Sequence, residues 1–269
     1  MELAAISYDS VATLADFAMR RGISFPLLSD AGSNTIKQDG ILNTTIDPKN
    51  ELYGYPFPGT FIVDRRGRVK ARFFEDSYTV RNTVSNIRVK LNGRESLVAA
   101  TQVKSAQLDV TTYTSDASVA PGNRFSLIAH IEPHPGVHVY APGAANYKTI
   151  QLTLVPQQYV RTAATSYPPA EIYFFKPLNE RVPTYQKPFT LVQEVVLDGQ
   201  ASTRTALQGQ HALTLGGALM YQACDDRLCY DPVTLPLTWT VNLRPIVTQP
   251  TVAPPKLQSS EGGLRPTTK

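Results

Sequence analysis

HALTLGGALMYQACDDRLCYDPVTLPLTWTV, residues 211–241, decides how the second half of the chain is read. His211–Tyr221 is a β-rich run, and Leu235, Leu237, Trp239 and Val241 recur at every second position. That period belongs to a half-buried strand and turns the single tryptophan toward a core. Between the two runs, Cys224 and Cys229 bracket the polar stretch Asp225-Asp226-Arg227-Leu228, which suits the turn of a hairpin. No other cysteines occur in the chain, so they point to one specific pair rather than a disulfide framework.

Further short β-rich runs lie upstream, at Phe125–Ile131, Val137–Tyr140, Ile150–Val155 and Phe189–Leu197, separated by Pro, Gly and Asn clusters. Short strands at regular intervals without helical periodicity predict an antiparallel β-sandwich over residues 108–245. Residues 246–269 are rich in Pro, Thr, Ser and Gly and read as a disordered tail.

The first 93 residues have a different texture. Leu3–Ser7 is a short apolar run. A helix follows, with Asp9 or Ser10 as its cap, Val11, Leu14, Ala15 and Ala18 at helical spacing, and Gly22 as its stop. Phe57–Asp64, the turn Asp64-Arg65-Arg66-Gly67 and Arg68–Phe74 read as a hairpin. A last helix covers Val80 to Leu91, with Val80, Val84, Ile87 and Leu91 on one face. Residues 94–107 show no period and read as a linker. The expected class is thus α/β plus all-β: an α/β domain over 1–93, a linker over 94–107, a sandwich over 108–245 and a tail.

With 26 basic and 22 acidic residues spread along 269 positions, no basic block marks a nucleic-acid surface. No apolar run approaches the roughly 18 residues that span a bilayer. Met-Glu-Leu-Ala-Ala-Ile carries neither the basic nor the apolar region of a signal peptide.

Thiol–disulfide exchange needs an accessible thiolate and a second thiol near enough to resolve the mixed disulfide. Asp225 and Asp226 disfavour a neighbouring thiolate while Arg227 favours it, so the pair is expected to depend on a partner for its speed. A stabilising disulfide is the competing reading, although closing so short a loop contributes only about 2 kcal/mol; free thiols are another. Tyr221 and Tyr230 flank the cysteines and line either a docking surface or the core. His130, His134 and His138 are evenly spaced, but Pro133, Pro135 and Gly136 keep them off one helical face, and zinc is not expected. No cofactor is implied, because cysteines carry the electrons themselves.

Two resemblances extend this reading. AISYDSVATLADFAMRRGISFPLLSD and PGTFIVDRRGRV resemble the later part of a thioredoxin-fold redoxin of the AhpC/TSA peroxiredoxin type. The resemblance implies a cis-proline at Pro58. The family's cysteine-bearing helix start has no counterpart here, since residues 1–93 hold no cysteine, and the region reads as an incomplete redoxin. The accompanying expectation is that Met1 is not the functional start, and that a strand, a cysteine-bearing helix and a signal peptide are encoded upstream.

GVHVYAP, YPPAEIYFF, VPTYQKPFTLVQEVVL and YQACDDRLCYDPVTLPLTW together resemble the N-terminal periplasmic domain of the DsbD-type thiol:disulfide interchange protein. That resemblance implies an immunoglobulin-like fold and exchange with thioredoxin-fold partners in a periplasmic or other extracytoplasmic compartment. It also implies Cys229 as the attacking thiol, Cys224 as the resolving one, and a shielding loop at residues 175–180. Leu178 stands as the cap of that loop, where the family more often has an aromatic. The expected function is a thiol–disulfide oxidoreductase module. Its rivals are an AhpC/TSA-type peroxidase, if a cysteine lies upstream, and a non-catalytic docking protein.

Overall fold

The computed structural model describes residues 2–92, 98–175 and 179–246. They divide into two compact units, residues 2–57 and residues 58–246.

In the first unit, β1 (Ala5–Ser7) and β2 (Leu27–Ser29) pair in parallel through α1 (Val11–Arg21), the crossover that a parallel pair requires. Ser10 caps α1 by accepting the Thr13 N–H at 3.2 Å, and Gly22 ends it in the left-handed region at φ 62°. A short helix, α2 (Asn34–Gln38), follows Asp30, whose carboxylate accepts the N–H groups of Asn34 and Ile36 at 3.0 and 2.9 Å. Of the apolar face expected on α1, Leu14 is buried, but Val11 is 72% exposed, because two short strands offer little surface to cover it.

The second unit opens with the hairpin β3 (Gly59–Val63) and β4 (Val69–Phe74), turned where the sequence placed the turn. Asp64 Oδ1 accepts the N–H groups of Arg66 and Arg68 there, at 2.9 and 3.0 Å. The peptide bond before Pro58 is trans, as are all those among the described residues, which corrects the cis bond that the resemblance implied. Trans is the lower state by roughly 0.5–1 kcal/mol, and residues 1–93 carry no cysteine for a cis turn to face. The Pro58 carbonyl instead extends the hairpin by accepting the Glu75 N–H at 3.0 Å.

After β5 (Arg81–Asn82) and α3 (Val84–Asn92) the strands come in quick succession. They are β6 (Val98–Lys104), β7 (Leu108–Thr114), β8 (Ser118–Val119), β9 (Asn123–Pro133), β10 (His138–Tyr140), β11 (Gln151–Leu154), β12 (Val160–Ser166), β13 (Glu171–Phe175), β14 (Glu180–Tyr185) and β15 (Phe189–Leu197). The helix α4 (Ala201–Ala206) precedes β16 (Ala212–Tyr221), β17 (Ala223–Cys224) and β18 (Val233–Leu243). One sheet runs β12-β15-β9-β7-β6 and a second β11-β16-β18-β8; a third, β13-β14-β10-β17, carries the cysteine end. The fold is mostly β.

The first two sheets form the sandwich. Phe125, Leu127, Ala129 and Ile131 of β9 with Leu191, Val195 and Leu197 of β15 pack against Leu215, Leu219, Leu237, Trp239 and Val241. Each Val, Leu, Ile or Phe among them contributes about 1.5–3 kcal/mol on burial. Trp239 faces the core as its alternation predicts, and its indole N–H donates to the Ile128 carbonyl across the sandwich at 2.9 Å.

Residues 94–107 are not simply a linker. Val98–Lys104 is an edge strand pairing antiparallel with β7, Val103 opposite Val110. Among its described side chains Val103 alone packs on the core, so no period was legible in the sequence. The helix read over Val80–Leu91 starts at Val84 and is rotated from its expected face: Val84 is 75% exposed, while Asn86 and Val89 are buried. A polar anchor outweighs the apolar stripe. Asn86 donates to Asn82 Oδ1 and Glu194 Oε1, both at 2.9 Å, and accepts from Ser126 Oγ at 2.5 Å. Nearby, Arg124 grips the buried Glu75 carboxylate with two bonds of 2.6 and 2.7 Å. Among the described residues no helix is long and apolar enough to cross a membrane.

Candidate functional site

β17 and the residue after the turn bring the two cysteines together. Cys224 and Cys229 form an antiparallel bridge with Cα atoms 4.0 Å apart and are joined by a disulfide. Asp225 builds the turn between them. Its Oδ1 accepts the N–H groups of Arg227 and Leu228 at 2.7 and 2.8 Å, and its Oδ2 accepts the Tyr230 hydroxyl at 2.8 Å. Its own N–H donates to the Leu228 carbonyl at 3.0 Å. Hydrogen bonds from Leu228, Arg227 and Tyr230 hold the Asp225 carboxyl below the usual carboxylate range.

The two cysteines differ in exposure: Cys224 is buried at 2%, whereas Cys229, on the far side of the turn, is exposed. His138 is the Cα partner of Cys224, Tyr140 of Thr184, Thr184 of Glu171, and Val182 of Tyr173. Directly paired residues share a face and residues two apart lie on the same face. His138, Tyr140, Tyr173, Val182, Thr184 and Cys224 therefore lie together on one face of the third sheet.

That face is aromatic. The Tyr140 ring stacks on Tyr147 with centroids 4.1 Å apart, and His138 meets Tyr173 at 4.5 Å. Tyr140 Oη lies 3.0 Å from Cys224 Sγ and 3.5 Å from Cys229 Sγ. Disulfide sulfurs carry no proton, so the phenol, with its single hydrogen, is the donor in this contact, and Cys224 Sγ is the nearer acceptor. Burial, reinforced by Tyr147, Glu180 and Tyr173, pushes the Tyr140 hydroxyl up to about 12 and keeps it a donor. Tyr147 donates to Glu180 Oε2 at 2.6 Å, and Tyr173 donates to Asp226 Oδ1 at 3.0 Å. Burial lowers His138, and Asp226 and Asp225 oppose that shift in part.

Other residues singled out from the sequence fall elsewhere. Tyr221 is fully buried and donates to Ser105 Oγ at 2.8 Å and Gln107 Oε1 at 3.0 Å, so it belongs to the core and lines no docking surface. Tyr230 is half-buried, tied to Asp225 and packed on the sandwich core. Leu178 lies outside the described residues, as does the tail from 247. His130 contacts Thr190 Oγ1 at 3.0 Å and His134 contacts Asp109 at 3.3 Å, while His138 packs beside the cysteines. Among the described residues no three His, Cys, Asp or Glu side chains are placed to hold a metal ion. Tyr140, Tyr147 and Tyr173 were not picked out as site residues. The alternation of His138 and Tyr140 within GVHVYAP was the available signal.

The site is thus a disulfide on a hairpin turn, with one exposed and one buried cysteine, at the third sheet. Residues 106–238 match the family model described as thiol:disulfide interchange protein DsbD, N-terminal, and residues 1–72 match the AhpC/TSA family. Similar solved structures include the N-terminal periplasmic domain of ScsB from Proteus mirabilis, at 12% identity and a TM-score of 0.34 over 54% of this chain and 50% of that one. The DsbD N-terminal domain of Neisseria meningitidis in the reduced form matches at 16% identity and a TM-score of 0.28, over 44% and 81%. The chain thus spans half the length of the ScsB domain. No curated protein sequence matches the chain.

Proposed function

We propose that the chain is a thiol–disulfide exchange module that trades electrons with thioredoxin-fold proteins through Cys224 and Cys229. The observation that carries this reading is the asymmetry of the pair, one cysteine exposed and one buried, within a region matching the DsbD N-terminal family. A partner thiolate attacks Cys229 Sγ, the Cys224–Cys229 bond breaks, and Cys224 leaves with the electron pair as a thiolate. The partner's second thiolate then attacks the sulfur of its own first cysteine in the mixed disulfide, releasing Cys229. The partner ends as a disulfide and this chain as two thiols, with two electrons transferred; the reverse sequence reduces the partner. Cys229 is the exchanging sulfur and Cys224 the resolving one.

Two further assignments accompany this reading. Residues 1–93 correspond to an incomplete thioredoxin-like region without a cysteine of its own. The compartment is extracytoplasmic, where disulfides persist. The test is a thiol count on the purified chain before and after incubation with a reduced thioredoxin-fold protein. Two thiols should appear, and none in the Cys229→Ser chain. Failure of the wild-type chain to gain thiols overturns the proposal. Peroxide consumption assays separate the peroxidase reading: this chain should not turn peroxide over at an enzymatic rate, because its pair sits among carboxylates rather than in an electropositive pocket.

A further inference from the structure

Cys224 becomes a buried thiolate at the moment the disulfide is attacked, and few groups around it welcome negative charge. Tyr140, Tyr147 and the paired His138 lie beside it, with Glu180 bonded to Tyr147, Tyr173 against His138 and bonded to Asp226, and Asp225 next in the chain. Burial works against a charge on His138. Arg227, the cation of the turn, is exposed and acts on Asp225. One hydroxyl points at the sulfur. Tyr140 Oη is 3.0 Å from Cys224 Sγ against 3.5 Å from Cys229 Sγ, its ring held by stacking on Tyr147, which Glu180 anchors in turn.

We infer that Tyr140 is a positioning residue that selects the leaving sulfur. Its phenol donates a hydrogen bond that strengthens as charge gathers on Cys224, so that attack at the exposed Cys229 is the favoured route. The inference rests on the exchange reading above. In the step itself the attacking thiolate forms its bond to Cys229 Sγ and the electron pair of the broken S–S bond passes to Cys224 Sγ. Tyr140 keeps its proton, because burial raises its pKa, and the Cys224 thiolate takes its proton from water afterwards. Hydrogen bonds to charged groups are the strong ones.

The test measures reduction of the full chain by dithiothreitol at fixed thiolate concentration, alongside the pH titration of Cys224 in the reduced protein by carbon-13 NMR. Tyr140→Phe retains the ring and its stacking but loses the donor. It should slow reduction about tenfold and raise the Cys224 titration by about one unit, as a charge-assisted hydrogen bond of ordinary strength predicts. A packing role alone would move neither once melting shows the variant folded. Site-specific 3-fluorotyrosine at position 140 provides the complementary arm: ring and hydroxyl remain, the donor is stronger, and reduction should be faster than wild type. Reduction of wild type with rates and titration unchanged in both variants overturns the role of Tyr140 while leaving the exchange reading intact. A wild-type chain that dithiothreitol does not reduce overturns both.

Discussion

Ser126 on β9 donates to the Asn86 side chain of α3 at 2.5 Å, and both residues are fully buried. A helix whose apolar residues suggest one face is therefore seated on another by an amide. Asn86→Ala should destabilise the chain by roughly 2–3 kcal/mol, because it strands the Ser126 hydroxyl and loosens Glu194. Val84→Ala, on the exposed face, should change stability by less than about 0.5 kcal/mol. Urea unfolding of the two variants checks the rotation of α3; the opposite ranking would restore the face expected from the sequence.

Reducing the disulfide should leave the sandwich folded. The loop it closes is short, with a sequence separation of 5, and its entropic contribution is about 2 kcal/mol. The core of Trp239, Phe125, Leu127 and Leu219 does not depend on it. Near-ultraviolet circular dichroism of oxidised and reduced protein should overlay apart from local tyrosine changes. Loss of the tertiary signal on reduction would mark the bond as structural.

The turn should tune the pair. Asp225 binds two backbone N–H groups and the Tyr230 hydroxyl, which fixes the Cα atoms of the cysteines 4.0 Å apart. In Asp225→Ala the thiols of the reduced protein should spend less time near one another. The equilibrium against a glutathione buffer should shift severalfold toward the dithiol, as the loss of about one net hydrogen bond predicts. An unchanged equilibrium would show that the sheet alone sets the spacing.

His138 gives stability a pH dependence of known sign. Burial lowers its pKa in the folded state, so below about pH 6.5 the unfolded chain takes up a proton that the folded chain resists. Stability should thus fall as pH drops from about 6.5 toward the folded-state value, with Asp225 and Asp226 moderating the loss. Thermal melts at several pH values should show this slope, and His138→Gln should flatten it. An identical slope in the variant would assign the effect to other groups.

What the sequence revealed follows from how each element stabilises itself. The core strand β18 buries Leu237, Trp239 and Val241 at alternate positions, a period legible in the sequence, while β9, β15 and β16 stand out as β-rich runs. The strand β12, Val160–Ser166, is exposed along most of its length and left no such trace. The strand β14 carries Pro183, which obscures it, and β13 carries the unalternating Ile-Tyr-Phe-Phe. The cysteine pair and its turn were legible because two cysteines and an Asx turn are local features. The aromatic face around Cys224 was not, because Tyr140, Tyr147 and Tyr173 meet only once β10, β14 and β13 are aligned. Tyr221 shows the limit of proximity in sequence: three residues from Cys224, it points into the opposite layer and hydrogen-bonds Ser105.

The central claim is that Cys229 is the sulfur that meets a partner. Mixing the Cys224→Ser chain with an oxidised thioredoxin-fold protein, then quenching in acid and weighing the products by mass spectrometry, tests it most directly. The account predicts a mixed disulfide through Cys229, and little or none from the Cys229→Ser chain, in which only the buried Cys224 remains. Equal adducts from both variants, or an adduct through Cys224 alone, would contradict it.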